Sequence, residues 1–267
     1  MFFRFIRNFS KRITQVWQRW INRDLLSLLS TVRLGGLIVA ALALWGFAQI
    51  ADEVLEKETQ SFDTSILLAL RQIHTPVLNQ IMLGLTFLGE PSVLVVMSLG
   101  LGVGLLLWRR QAEATTLAIA AGGAAGLNFL LKDLFARARP ALWTRMVDVR
   151  YYSFPSGHAT MSMVIYGLIG YLLATHFGRW RGLIVSVTLL LIAGIGFSRL
   201  YLGVHWPTDV IAGYASGLVW LIACILSLEI ARGRGFRRSP KHPLSSSQPE
   251  QVQSEQVGEP TERSSQK

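Results

Sequence analysis

The chain has little charge and almost no cysteine. Only 16% of its 267 residues are Asp, Glu, Lys or Arg, whereas a soluble domain carries about 25%. This shortage of charge excludes an ordinary water-soluble globular protein. The one cysteine, Cys224, lies inside an apolar run, so an intrachain disulfide is excluded and a small buried side chain is expected there.

Long apolar runs take the place of the missing charge. Each is close to the length that crosses a hydrocarbon core of about 30 Å as a helix. The sequence therefore predicts an all-α fold, a polytopic membrane helical bundle with six transmembrane helices and additional amphipathic helices on the extracytoplasmic side. The predicted spans are residues 34–50, 92–108, 113–134, 159–177, 182–198 and 208–230.

Two shorter helical patterns lie between the first and second spans. FDTSILLALRQI, residues 62–73, is amphipathic, and Thr75-Pro76 is typical of a helix start, with Thr as N-cap and Pro at the first position. The helix that begins there ends at Gly89-Glu90-Pro91, so its rise of about 21 Å is too short for a crossing. Residues 62–90 are therefore predicted to form surface or half-embedded helices.

Three regions are predicted along the chain. Residues 1–33 contain seven Arg or Lys among regularly spaced apolar residues, which indicates a basic amphipathic helix on an anionic membrane surface, with a disordered segment as the alternative. Residues 34–231 form the membrane domain. Residues 232–267, basic and then rich in Ser, Gln, Glu and Pro, are predicted to be a disordered tail.

Positive charges predict the orientation in the membrane. With six spans, the leader, Arg109-Arg110, Arg179 with Arg181, and the basic residues 232–241 share one face. Cytoplasmic loops are enriched in Lys and Arg, so this face and both termini are expected in the cytoplasm of a bacterial cell. The net charge of +10 is thus explained by the membrane, and no nucleic-acid partner is expected. The sequence gives no signal for an oligomeric state.

A second group of cations lies on the opposite, outer face. Five of them fall within residues 132–150 and Arg199 is in the next outer connection. A lysine that extends to the membrane surface accounts for Lys132 alone. The group as a whole indicates a binding site for an anion. The five are Lys132, Arg137, Arg139, Arg145 and Arg150.

Three segments on this face contain the residues suited to phosphate chemistry. They are KDLFARARP (132–140), SFPSGHAT (153–160) and SRLYLGVHWPTD (198–209). A helix that starts near Ser156 and Gly157 would direct free N–H groups outward, which suits phosphate. Gly157 would also let the backbone approach an oxyanion closely.

The two histidines of these segments suit nucleophilic and acid–base roles. Asp209 lies four residues after His205, so its carboxylate can hold one ring nitrogen and leave the other free to attack phosphorus. His158 can protonate the departing oxygen and then activate water. The charge on the phosphoryl group would be neutralised by cations and N–H or hydroxyl donors, namely Lys132, Arg139, Arg199, Ser156 and Gly157.

Simpler explanations exist for each motif. PSGH can be an ordinary turn with a capping serine, and Asp209 can be a first-turn acid favoured by the helix dipole. His158, His205 and Asp209 could also bind a divalent metal, but the nearby cations would repel the ion, so no metal and no cofactor are expected. His74, His176 and His242 are isolated in the sequence and are expected at the surface or at an interface.

The three segments resemble the signature of the type 2 phosphatidic acid phosphatase superfamily. K-x6-R-P (132–140), P-S-G-H (155–158) and S-R-x5-H-x3-D (198–209) occur in its order and with its internal spacing. The resemblance implies a phosphohistidine at His205, oriented by Asp209, with His158 as acid and base. It implies phosphate binding by Lys132, Arg139, Ser156, Gly157 and Arg199, and catalysis without a metal.

The implied activity is hydrolysis of a membrane lipid phosphate on the extracytoplasmic side. Phosphatidic acid, phosphatidylglycerophosphate and undecaprenyl pyrophosphate are all compatible with the motifs. The alternatives are a phosphatase of a soluble ester, a lipid or anion transporter, and a non-catalytic lipid-binding protein. Arg137, Arg145 and Arg150 lie outside the signature, and recognition of a second phosphate or of anionic headgroups is the hypothesis for them.

Overall fold

The protein is all-helical in the part that the computed structural model describes, residues 31–144, 147, 149 and 151–238. This confirms the predicted fold class. A 3-10 turn, Gly178–Trp180, precedes α7. The helices are α1 Thr31–Leu55, α2 Gln60–Gln72, α3 Pro76–Leu88, α4 Pro91–Leu107, α5 Gln111–Phe135, α6 Gly157–His176, α7 Arg181–Tyr201 and α8 Pro207–Arg238.

Five of the six predicted spans correspond to helices that could cross a membrane. In the described residues these are α1, α5, α6, α7 and α8, whereas α4, at the predicted span 92–108, is long enough only together with α3. That pair is bent by 48°, the geometry of a broken span or of a re-entrant loop. The chain is therefore an integral membrane protein. The predicted leader lies outside the described residues apart from 31–33, where α1 begins.

Two helices extend beyond their predicted ends. α1 continues to Leu55, and α8 continues to Arg238, past the predicted domain boundary at residue 232. A helix can extend past the membrane because its backbone hydrogen bonds are satisfied internally in water as in lipid. Residues 239–267 of the predicted tail lie outside the described part of the chain.

The predicted start of α3 is confirmed by its cap. The Leu78 N–H donates to Oγ1 of Thr75 over 3.2 Å, and Pro76 occupies the first position of the helix. This arrangement satisfies one of the free N–H groups of the first turn, and the proline ring already has a helical φ. α3 leads directly into the bend at Gly89-Glu90, which lies beside the candidate site.

α6 is the central helix of the bundle. It packs against α5, α7 and α8, and a continuous apolar core joins it to α4, α5 and α8. Because the lipid-facing surface is also apolar, close packing rather than a difference in polarity holds such helices together. Fully or almost fully buried members of this core are Leu94, Leu117, Ile165, Leu168 and Leu228.

Small residues bring α8 very close to α6. A Cβ added at Gly213 would lie 2.8 Å from the Ser156 carbonyl oxygen, and one added at Gly217 would lie 2.8 Å from the Thr160 carbonyl oxygen. These glycines are one helical turn apart on the same face, the small-xxx-small arrangement that lets membrane helices approach each other. The start of α6 is consequently fixed against the start of α8.

The two ends of the bundle differ in their polar contacts. At one end Glu113 binds Arg232 over 2.6 Å and also pairs with Arg110, which joins the α4–α5 turn to α8. At the other end lie the end of α5, the start of α6, the end of α7 and the start of α8. The three segments with residues suited to phosphate chemistry, 132–140, 153–160 and 198–209, meet at this second end.

Candidate active site

His205 and Asp209 form a buried pair where α8 begins. Nδ1 of His205 lies 3.3 Å from Oδ2 of Asp209, and the same oxygen accepts a 2.9 Å bond from the Trp206 N–H. Their exposed fractions are 1% and 0%. The four-residue spacing therefore brings the imidazole and the carboxylate together as the sequence predicts.

The other ring nitrogen of His205 faces a cation. Nε2 lies 3.1 Å from Nη1 of Arg139. A guanidinium group only donates hydrogen bonds, so Nε2 must be the acceptor with a free lone pair, and Nδ1 carries the hydrogen that points at Asp209. Burial, and next the positive charge of Arg139, hold the pKa of His205 well below its ordinary value. The imidazole is therefore held with the free lone pair of Nε2 directed at the Arg139 guanidinium.

A glycine shapes the turn that presents His205. Gly203 has φ +65°, a left-handed conformation, and the Trp143 ring packs where its Cβ would be. The left-handed region is open to glycine at no steric cost. The Val204 N–H donates to the Arg199 carbonyl over 3.2 Å, which closes the turn at the end of α7.

The start of α6 places His158 beside this pair. The Ser156 N–H donates to the Asp209 carbonyl over 2.9 Å, which ties α6 to α8. His158 is the second residue of α6, and its Nε2 lies 3.2 Å from Oε2 of Glu90, an ion-pair distance. A Cβ at Gly157 would lie 3.0 Å from Oδ1 of Asn128, so only glycine fits there without displacement.

The three predicted phosphate-binding cations converge on the same place. Nζ of Lys132 donates to the Tyr152 carbonyl over 2.5 Å, and Nη1 of Arg139 donates to the Val204 carbonyl over 2.8 Å. Nη1 of Arg199 donates to Oγ1 of Thr86 over 2.5 Å, although this guanidinium is only 3% exposed. Backbone carbonyls and a hydroxyl thus aim the cations without neutralising them.

Three buried polar atoms at the site make no hydrogen bond to the described part of the protein. They are Oγ of Ser156, Nε of Arg199 and Nε2 of His158. A buried polar group without a partner is costly, roughly 1–3 kcal/mol. Oγ of Ser156 and Nε of Arg199 can donate, so an oxyanion is the chemical group that would satisfy them, whereas Nε2 of His158 faces the Glu90 carboxylate at an ion-pair distance. The site therefore combines a buried imidazole that has a free lone pair with donors suited to phosphate.

Arg137 corrects one hypothesis from the sequence. It was expected to recognise a second phosphate or an anionic headgroup, but its guanidinium binds Oδ2 of Asp63 over 2.7 Å and Oδ1 of Asp209 over 2.6 Å. It also donates to Thr59 and Thr208. Two buried carboxylates take up its charge, so it is not available to an anion. Arg145 and Arg150 lie outside the described residues.

The sequence does not identify Asp63, Glu90 and Thr86 as parts of the site. All three lie in residues 62–90, which the apolar pattern predicts only as surface or half-embedded helices. Asp63 is fully buried and also accepts from the Thr208 N–H over 3.0 Å. An acidic residue in an amphipathic helix and a Gly-Glu-Pro turn are the only sequence signals for them.

The chain is similar in sequence to known proteins of one family. The family model described as the PAP2 superfamily matches residues 113–232. Phosphatidylglycerophosphatase B of Bacillus subtilis is 31% identical over 176 residues, which is 65% of this chain and 86% of that protein. Decaprenylphosphoryl-5-phosphoribose phosphatase of Mycobacterium tuberculosis is 33% identical over 139 residues, 50% of this chain and 71% of that protein.

A solved structure has the same arrangement of helices. It is the crystal structure of a transmembrane PAP2 type phosphatidylglycerolphosphate phosphatase from Bacillus subtilis, with a TM-score of 0.68 and 27% sequence identity. The alignment covers 75% of this chain and 98% of the crystal structure. The likeness therefore includes nearly the whole of that membrane domain.

Proposed function

The chain belongs to the PAP2 superfamily of membrane phosphatases, and we propose that it hydrolyses lipid phosphate monoesters or pyrophosphates through a phosphohistidine intermediate. The observation that carries this proposal is the state of His205. Its Nδ1 faces Asp209 and its Nε2 faces Arg139 inside a cluster of buried cations. A neutral imidazole held in this way is a nucleophile directed at a phosphate-binding site.

In the first step Nε2 of His205 attacks phosphorus. The nitrogen lone pair forms the N–P bond, and the P–O bond to the leaving group breaks with its electron pair on oxygen. His158 gives that oxygen a proton. The developing imidazolium of His205 is stabilised by Asp209, and the phosphoryl oxygens are stabilised by Lys132, Arg139 and Arg199, together with Ser156 and the Gly157 N–H.

In the second step water replaces the histidine. His158, now neutral, takes a proton from water while the water oxygen bonds to phosphorus. The N–P bond breaks, its electron pair returns to Nε2 of His205, and phosphate leaves. Both steps use the same two histidines, so one site is sufficient for the whole reaction.

The donor set favours catalysis without a metal. Phosphate faces cations from Lys132, Arg139 and Arg199, which supply the positive charge that a divalent ion supplies elsewhere. The Asp209 carboxylate is already engaged by Arg137 and His205. A metal ion would therefore be repelled by the cations and would find this carboxylate occupied.

A membrane lipid is the proposed substrate class. The site lies at the ends of α5, α6, α7 and α8, where a headgroup can enter while its tails stay in the bilayer. The relatives named above act, as their names state, on phosphatidylglycerophosphate and on a decaprenyl phosphoribose. Diacylglycerol and polyprenyl phosphates are therefore both proposed.

The active site is proposed to face away from the cytoplasm of a bacterial plasma membrane. The basic residues Arg109, Arg110, Arg179, Arg181 and Arg232 lie at the helix ends opposite the site, and positive charge favours the cytoplasmic face. An introduced cysteine at exposed Tyr151 should react with a membrane-impermeant maleimide in intact cells. Labelling only after cell lysis would show that the site faces the cytoplasm.

Phosphate release by purified protein in detergent with EDTA tests the reaction. Phosphatidic acid, phosphatidylglycerophosphate and undecaprenyl pyrophosphate are offered side by side, and His205→Ala is the control. We expect release by the wild type alone, at an unchanged rate in EDTA, with inhibition by vanadate. Phosphate release by His205→Ala would exclude His205 as the nucleophile. Loss of activity in EDTA would exclude a metal-independent mechanism.

A further inference from the structure

The bend between α3 and α4 brings a carboxylate to His158. Glu90 follows Gly89 directly after the end of α3, and its Oε2 lies 3.2 Å from Nε2 of His158. The Glu90 side chain is 49% exposed and the His158 side chain is 11% exposed. The pair therefore lies at the border between the buried site and its surroundings.

Contacts of the residues just before Glu90 hold the bend in place. The Tyr166 hydroxyl of α6 donates to the Leu88 carbonyl over 2.7 Å, and Thr86 accepts from Arg199 of α7. A Cβ at Gly89 would lie 3.1 Å from Cδ2 of His158 and would overlap the Ile195 side chain. The missing side chain at residue 89 thus lets the bend press against the histidine.

Glu90 also has an electrostatic role. Burial disfavours a positive charge on the His158 ring, the Glu90 carboxylate attracts that charge, and the guanidinium groups of Arg199 and Arg139 repel it. An acid that must hold a proton among phosphate-binding cations needs such a counter-charge. In-line transfer places the leaving group opposite His205, on the side of the phosphorus where His158 acts.

We propose that Glu90 is a positioning residue that makes His158 an effective general acid. Its carboxylate faces Nε2 of His158 at an ion-pair distance and leaves Nδ1 as the nitrogen that exchanges protons. In the first step the Nδ1 proton passes to the leaving oxygen, which keeps the electron pair of the broken P–O bond. In the second step Nδ1 takes a proton from water, so the hydrogen on Nε2 stays with Glu90 throughout. This inference rests on the proposed function.

The dependence of the rate on the leaving group tests this role. Nitrophenolate departs without a proton, whereas the alkoxide of a lipid phosphate needs one, so loss of an acid slows alkyl phosphates selectively. A single turnover measures only the first step, as release of nitrophenol from p-nitrophenyl phosphate or of diacylglycerol from phosphatidic acid. We expect Glu90→Gln to slow diacylglycerol release at least about tenfold and nitrophenol release less than about threefold.

Further variants distinguish a positioning role of Glu90 from a general loss of folding or activity. Gly89→Ala should reproduce the pattern of Glu90→Gln because it moves the bend, and Glu90→Asp should restore part of the rate on phosphatidic acid because it keeps the charge. The controls are Glu56→Gln, an exposed glutamate, and Gly84→Ala, where a Cβ meets nothing within 4 Å. Both should match the wild type on the two substrates.

The outcomes distinguish this inference from the proposed function. Equal losses on both substrates, or no loss on either, would overturn the role of Glu90 while wild-type turnover still supports the phosphatase. If Glu90→Asp releases diacylglycerol as slowly as Glu90→Gln, the negative charge at residue 90 is not what supports His158. If the wild-type protein releases neither nitrophenol nor diacylglycerol, the proposed phosphatase function itself is overturned.

Discussion

Nη1 of Arg137 lies 2.6 Å from Oδ1 of Asp209, although the two residues are 72 positions apart in the chain. The other amino group of the same guanidinium binds Asp63 of α2. Both carboxylates are fully buried. One cation therefore pairs with two acids and joins α2 to the carboxylate that faces His205.

Arg137→Met should destabilise the fold strongly because it leaves two buried carboxylates without a counter-charge. Loss of one partner from a buried pair costs about 3–5 kcal/mol. Adding Asp63→Leu should recover part of that loss. Unfolding in detergent measures it, with Arg232→Met, whose partly exposed pair with Glu113 lies at the other end, as the milder control. Equal losses in the two single variants would contradict this account of Arg137.

Ser156→Ala should weaken phosphate binding without lowering the stability of the fold. Oγ of Ser156 is buried and bonds to nothing in the described part of the protein, so its removal breaks no internal contact. A lost hydrogen bond to an anion is worth about 1.5–3 kcal/mol, so the vanadate inhibition constant should rise at least about tenfold. Ser162→Ala is the matched control, because that buried hydroxyl bonds to the Ala159 carbonyl. A vanadate inhibition constant that stays unchanged in Ser156→Ala would contradict the role of this hydroxyl.

Acid should destabilise the wild type more than His205→Asn. Burial and then Arg139 lower the pKa of His205 in the folded state well below 6.5. Below pH 6.5 the unfolded histidine binds a proton that the folded one excludes, so stability falls as the pH falls, by up to about 1.4 kcal/mol per pH unit. Unfolding at pH 7.5 and 5.5 should show a smaller decrease for His205→Asn. An equal decrease would show that His205 is protonated in the fold.

Gly217→Ala should destabilise the bundle because the added methyl group meets the Thr160 carbonyl of α6. Such overpacking typically costs about 1–3 kcal/mol. Gly122→Ala in α5 is the control, since a Cβ there meets nothing within 4 Å. Thermal unfolding should separate the two variants, with Gly122→Ala at or above the wild type. A stable Gly217→Ala protein would mean that α6 and α8 can move apart.

The sequence was sufficient to predict the spans and the two histidines because both depend on local patterns. Apolar length defines a membrane helix, and the interval from His205 to Asp209 is one helical turn. The three phosphate-type segments all lie at span ends on one face, so the six-span topology alone brings them near each other. These predictions did not depend on side-chain packing.

The roles of Arg137, Asp63 and Glu90 depend on packing and could not be predicted. Arg137 and Arg139 both belong to a basic segment, yet one binds carboxylates and the other lies beside His205. The difference arises because α2 packs against α8 and brings Asp63 to Arg137. This is a contact between residues that are far apart in the sequence. Glu90 likewise becomes significant only because the bend between α3 and α4 packs against α6.

The shared cation also constrains how this protein can change over evolution. If Asp63 is lost first, Arg137 keeps only one acidic partner, and if Arg137 is lost first, two acids remain without a cation. Loss of Arg137 is therefore the more harmful of the two changes. Among homologous sequences, an acid at position 63 should be found only together with a cation at position 137, which the buried Asp209 also needs.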